Sequence, residues 1–172
     1  IKITIYVLVA SGLFQAVFGS LMVLTGIEYL LLSAKEHYLG VSTGTFVNRN
    51  SQAGYLVMCL SLGIGLMIAG LKPGTSNIKE LARRFLQALL SSKVILRLSL
   101  VIMVAGLVMT HSRMGNTSFF IIMGVIGTLA VVLKGKSIGS TVFLLASLII
   151  IDVAVVGTFF GIEKVIDRLE QT

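Results

Sequence analysis

Residues 45–71 read TFVNRNSQAGYLVMCLSLGIGLMIAGL, in which a polar segment, Thr45–Gln52, meets an apolar run, Gly54–Leu71. Because about 20 mostly apolar residues are enough for a helix to cross a bilayer, the apolar run predicts a membrane-spanning helix. Arg49 stands beside this run, where a charge is costly to hold unless it meets water, a partner or a ligand. Its planar guanidinium suits the oxygens of phosphates and carboxylates. The stretch therefore predicts a membrane protein that holds an anionic group at its surface.

The composition of the whole chain predicts an all-α, polytopic membrane bundle. Its 172 residues are 56% hydrophobic and 12% charged, with a mean hydropathy of +1.01. Soluble domains carry about 25% charged residues, so the charged fraction is low for that class. We predict a single transmembrane domain with five spans, at residues 3–25, 54–71, 94–110, 119–133 and 138–160.

The net charge of +7 is a topology signal rather than a sign of nucleic-acid binding. The aromatic residues lie in the spans and near their ends instead of interleaving with a basic patch, so we predict no nucleic-acid partner. Nine Lys and Arg residues lie in three segments on one side of the membrane: the N-terminus, the segment 72–97 and the turn between spans four and five. The segments on the other side of the membrane hold five. The positive-inside rule then predicts a cytoplasmic N-terminus and places Arg49 and Arg113 on the outer face.

Three further patterns extend this organisation. After Pro73-Gly74, apolar side chains fall on one face, which predicts an amphipathic helix on the cytoplasmic membrane surface or, alternatively, packed beneath the bundle. In span two, small residues at four-residue spacing predict the close approach of another helix; they are Ser61, Gly65 and Ala69. The apolar pattern from Ile162 to Leu169 still continues where the sequence stops, so we expect a piece of a longer protein.

A second arginine lies in the segment 110–117, THSRMGNT, between spans three and four. Arg49 and Arg113 would then end at one membrane face, where two arginines can clamp the two phosphates of a diphosphate. Asn50 or Ser51 is the predicted N-cap of span two, which would turn the positive end of that helix toward the same place. The competing interpretation is that each arginine only anchors the chain to lipid headgroups.

The remaining ionisable candidates are Asp152, His37 and His111. Asp152 lies within span five, where an ion pair with an arginine, a general base and a proton relay are all open interpretations. Neither histidine has a Cys, Asp or Glu at metal-ligand spacing, so we assign no metal and no cofactor. His111 stays a candidate to assist Arg113.

Two motifs resemble the O-antigen ligase and polymerase family of bacterial glycosyltransferases. The first is Phe46-Val47-Asn48-Arg49-Asn50, before one span, and the second is Thr110-x-Ser112-Arg113-x-Gly115, after the next span. The resemblance covers residues 43 to 133. It implies a metal-independent, multi-pass enzyme of the bacterial inner membrane with its site on the periplasmic face. The implied partners are membrane lipids, an undecaprenyl-diphosphate-linked glycan and a sugar or lipid A-core acceptor. The implied catalytic residues are Arg113 and Arg49, and the implied substrate-binding residues are Asn48, Asn50, Ser112 and His111.

The resemblance leaves several alternatives open. Members of that family also use arginines and a histidine beyond the region that this chain covers, so we expect this piece alone to be inactive. Half of a transporter or flippase, with Asp152 in its pathway, is one rival function. A non-catalytic membrane subunit anchored by its arginines is the other. The sequence does not identify the sugar, the acceptor or the general base. It also does not distinguish between a ligase, a polymerase and a protein transferase.

Overall fold

The computed structural model describes residues 1–27, 29–30, 33–70, 92–134 and 150. Within these residues the fold is helical, as predicted, apart from a two-residue antiparallel pairing of β1 (Tyr29–Leu30) with β2 (Ser33–Ala34). The four helices are α1 (Lys2–Thr25), α2 (Arg49–Ala69), α3 (Ser92–Val108) and α4 (Arg113–Lys134). The predicted amphipathic helix, the fifth span apart from residue 150, and Asp152 lie outside the described residues.

The described helices correspond to four predicted spans, and two of them begin at least five residues earlier than predicted. α2 begins at Arg49 rather than Gly54, because Asn48 is its N-cap and accepts a hydrogen bond from the Asn50 backbone N–H at 2.8 Å. The predicted cap at Asn50 or Ser51 is therefore wrong. α4 likewise begins at Arg113. Both arginines are thus the first residues of helices rather than loop residues.

Two of the described helices, α1 and α2, are long and apolar enough to cross a membrane. α3 contains a shorter apolar segment, Val94–Val108. Large apolar side chains on α1 stay exposed, with Ile3 at 80% and Val7 at 62% of their full accessibility. These features support membrane association, whereas the five-span bundle and its orientation remain predictions.

α2 contacts α1, α3 and α4, so it lies at the centre of the described bundle. α1 runs antiparallel to α2 and parallel to α3, and α2 runs parallel to α4. The facing pairs are Gly12–Cys59 and Val9–Gly63 for α1 with α2, Gly12–Met103 and Ala16–Gly106 for α1 with α3, and Ala53–Gly115 and Asn50–Ser112 for α2 with α4. The N-termini of α2 and α4 therefore lie at the same end of the bundle.

Small residues bring the described helices close together, and they do so at positions other than Gly65 of the predicted stripe. A Cβ atom added to Gly106 would lie 2.7 Å from the Ala16 Cβ, so α1 and α3 touch almost backbone to backbone. A Cβ on Gly65 would meet no described atom within 4 Å. No described helix approaches Gly65 closely, and the predicted contact along Ser61, Gly65 and Ala69 stays a prediction. Spacing identifies a stripe but does not say which neighbour it faces.

A buried polar network ties the connection between α1 and α2 to both helices. The hydroxyl of Ser42, which is fully buried, donates to the Gln52 Oε1 at 3.1 Å, and the Gln52 Nε2 donates to the Gln15 carbonyl at 3.1 Å. The Gln15 side chain in turn donates to the Thr45 Oγ1 at 2.8 Å and accepts from the Thr45 backbone N–H at 2.9 Å. Since buried polar groups are stable only when they are paired, this network fixes the connection that leads to Arg49.

Candidate anion-binding site

Arg49 and Arg113 line one pocket of about 520 Å³ at the end of the bundle where α2 and α4 begin. The structure therefore brings together the two polar segments that the sequence singled out. The other residues that line the pocket are Asn50, Val108, His111, Met114 and Asn116.

The guanidinium of Arg49 lies over an aromatic ring. Its Cζ atom is 5.6 Å from the ring centroid of Tyr38, a distance at which the cation is attracted to the face of the ring. Tyr38 itself has a left-handed backbone, with φ 58°. The Arg49 Nε is buried and has no hydrogen-bond partner among the described residues. A ring, rather than a carboxylate, thus holds this arginine in the part of the chain that the structure describes.

Arg113 is presented by a sharp reversal between α3 and α4. The chain turns at His111, which has a left-handed φ of 51°. The Ser112 backbone N–H donates to the Thr110 Oγ1 at 3.2 Å, and the Ser112 hydroxyl accepts from the Gly115 N–H at 3.1 Å. Ser112 is therefore the N-cap of α4, and Arg113 is an exposed side chain in the first turn.

The predicted substrate-binding residues divide into two pairs. Asn50 and His111 line the pocket. Asn48 and Ser112 cap the two helices instead, and neither is among the described lining residues. Ser112 is only 2% exposed. The geometry thus gives Asn48 and Ser112 a structural place beside the pocket rather than a place within it.

The site residues predicted from the sequence did not include Tyr38 or, among the residues that line the pocket, Val108, Met114 and Asn116. Tyr38 has no local signal, because it reaches Arg49 only through the fold of the connection. Asn116 follows Arg113 by three residues on α4, a spacing that puts both on one helix face and that could have identified it. Its Oδ1 is buried without a hydrogen-bond partner among the described residues.

The electrostatics of the pocket favour an anion. Two capped helix N-termini bring their partial positive charge to one place, where each also contributes an arginine. Guanidinium groups donate several hydrogen bonds in a planar fork that suits phosphate oxygens. The described residues contain no cluster of His, Cys, Asp and Glu that could hold a metal ion. The arrangement can therefore bind and neutralise a group that carries more than one negative charge.

Replacement of Tyr38 tests the role of its ring. Tyr38→Leu is expected to weaken binding of inorganic pyrophosphate about threefold, because an exposed cation–π contact contributes about 0.5–1 kcal/mol. Tyr38→Phe keeps the ring and is expected to bind as the wild type does. Titration calorimetry on the purified chain in a neutral, phosphate-free detergent measures both. Equal losses in the two variants would show that the hydroxyl, not the ring, matters.

No protein family, curated protein or solved structure matches the chain. What the pocket binds must therefore be inferred from its own charges, helix ends and volume, together with the resemblance of its two motifs.

Proposed function

We propose that this chain belongs to a metal-independent membrane glycosyltransferase and that its pocket binds the diphosphate of a lipid-linked glycan. The observation that carries the proposal is the shared pocket of Arg49 and Arg113, each at the first position of a helix. A diphosphate has two charged groups and can engage both arginines at once. The resemblance of both motifs to O-antigen ligases and polymerases supplies the substrate class.

The proposed reaction requires the positive charge of this pocket. An acceptor hydroxyl attacks the anomeric carbon of the glycan, the bond from that carbon to the diphosphate oxygen breaks, and negative charge develops on the leaving diphosphate. Fixed cationic donors stabilise that charge more in the transition state than in the bound substrate, which is what accelerates a reaction. His111 lines the pocket and is our candidate to accept the proton of the attacking hydroxyl.

A lipid carrier fits the place of the site in the bundle. The pocket lies at the start of α2, one of the two helices that can cross a membrane. A site at that depth is within reach of a diphosphate whose isoprenoid tail stays in the bilayer. We propose an orientation with the N-terminus in the cytoplasm of a bacterial inner membrane, five spans and the pocket on the periplasmic face. The acceptor would be a sugar or a lipid A core.

A transfer assay tests this proposal. Membranes that contain the full-length protein to which this chain is proposed to belong are incubated with a radiolabelled undecaprenyl-diphosphate glycan and lipid A-core acceptor. The expected result is labelled acceptor together with free undecaprenyl diphosphate. Movement of the intact carrier across vesicles in response to a gradient, without transfer, would favour the transporter alternative. If neither transfer nor movement occurs, the proposal fails and the non-catalytic subunit remains.

A further inference from the structure

A single hydroxyl connects the starts of the two arginine-bearing helices. The Ser112 Oγ donates a hydrogen bond to the Asn50 Oδ1 at 2.9 Å, while it also accepts the Gly115 N–H. Asn50 is the neighbour of Arg49 in the first turn of α2, and Ser112 directly precedes Arg113. The bond thus joins the two helices at the residues next to the two arginines.

A second contact lies one helical turn further along the same pair of helices. A Cβ atom added to Gly115 would lie 2.6 Å from the Ala53 Cβ, so the absence of a side chain at Gly115 lets α4 lie directly on α2. Residues 50 and 53 of α2 therefore face residues 112 and 115 of α4. Two contacts in register leave little freedom for the helices to slide or separate at this end.

We infer that the Ser112–Asn50 hydrogen bond is a positioning element, which fixes the separation of Arg49 and Arg113 and makes the pocket selective for a diphosphate over a single phosphate. The inference rests on the proposed anion-binding function. It also assigns Ser112 a different role from the direct substrate contact that the sequence suggested. Its hydroxyl makes two hydrogen bonds within the protein and is almost completely buried.

The selectivity follows from the cost of ordering two cations. A ligand with two charged groups gains most when both arginines are already held at the distance that it spans, because no ordering is then needed on binding. A ligand with one charged group engages one arginine well and gains little from the position of the other. Loss of the cross-helix bond should therefore weaken diphosphate binding more than monophosphate binding.

Inorganic pyrophosphate and orthophosphate are the probes, and titration calorimetry on the purified chain in a neutral, phosphate-free detergent is the measurement. Ser112→Ala and Asn50→Ala are each expected to lower the ratio of pyrophosphate to orthophosphate affinity about fivefold, the effect of one hydrogen bond. Asn50→Ala leaves the Ser112 cap of α4 in place, so it separates positioning from helix capping. The double variant is expected to be no worse than either single one, because both remove the same bond.

Thr117→Ala is the matched control, since that hydroxyl lies on α4 and, among the described residues, bonds to the Arg113 carbonyl of its own helix and not to α2. An unchanged ratio in the folded single variants, or losses that add in the double variant, would overturn the inference. Equal binding of both probes by the wild-type protein would also overturn the inference, but it would leave the proposed anion site in place. A wild-type protein that binds neither probe would overturn the proposed function and this inference with it. If Ser112→Ala does not fold, Asn50→Ala decides alone.

Discussion

In the full-length protein, Arg113→Ala is expected to lower the rate of glycan transfer by about a hundredfold or more, while the protein still inserts into membranes. Removal of one donor that stabilises developing negative charge typically has an effect of about 10²–10³ on the rate. Arg113 is exposed at the first turn of α4 and lines the pocket, so its loss removes charge without opening a cavity in the core. The transfer assay with labelled carrier measures the rate, and membrane fractionation measures insertion.

Two companion variants sharpen this prediction. Arg113→Lys keeps the charge but loses the planar fork, so we expect an intermediate loss of rate. Arg97→Gln removes an arginine from α3, about 16 Å along that helix from the pocket residue Val108, and is expected to leave transfer unchanged. Full activity of both Arg113→Ala and Arg113→Lys would contradict the proposed function. An equal loss in Arg97→Gln would show that net charge, rather than the pocket, controls the rate.

Gly106→Leu is expected to have the largest effect on stability and to lower the free energy of unfolding by about 3 kcal/mol. A Cβ at Gly106 would lie 2.7 Å from the Ala16 Cβ and 3.0 Å from the Ala16 Cα. The Cα is part of the backbone and cannot move aside as a flexible side chain can, so α1 and α3 would be forced apart. Unfolding by sodium dodecyl sulfate, followed by circular dichroism, measures the change.

Gly65→Leu is the matched control for that experiment. Gly65 is also a glycine within an apolar helix, but a Cβ there would meet no described atom within 4 Å. Because leucine has a better helix propensity than glycine by up to about 1 kcal/mol, this variant is expected to be as stable as the wild type or slightly more stable. If Gly106→Leu were equally stable, the close packing of α1 on α3 would be refuted.

The helical class and the approximate course of the described helices could be predicted from apolar runs, because such runs depend only on local composition. The distribution of Lys and Arg residues also predicted that Arg49 and Arg113 lie at one membrane face, and the structure places both arginines in one pocket. The start of α2 could not be located in this way. Asn48, Asn50 and Ser51 are all good N-caps by residue type, and only the hydrogen bond to the Asn50 N–H distinguishes the first of them.

The parts of the site that sequence reasoning missed depend on contacts between distant segments. Tyr38 reaches Arg49 because the connection around it is held by the buried bonds of Gln15 and Gln52, two residues on different helices. The sequence pattern shows only that these polar residues interrupt apolar runs, and it does not show which groups they bond to. The hydrogen bond from Ser112 to Asn50 could not be predicted for the same reason, because it depends on the packing of α4 on α2.

The parallel course of α1 with α3 and of α2 with α4 means that the described bundle consists of two helical hairpins set side by side in the same sense. In each hairpin the first helix runs toward the end that carries the pocket and the chain reverses there. The second helix, which runs away from that end, starts with an arginine. In this arrangement every turn at that end exposes the positive pole of the following helix. Because α1 and α3 end where α2 and α4 begin, the negative poles of the first pair offset much of the positive potential of the second pair. The positive charge at this end of the bundle therefore comes mainly from the two arginine side chains.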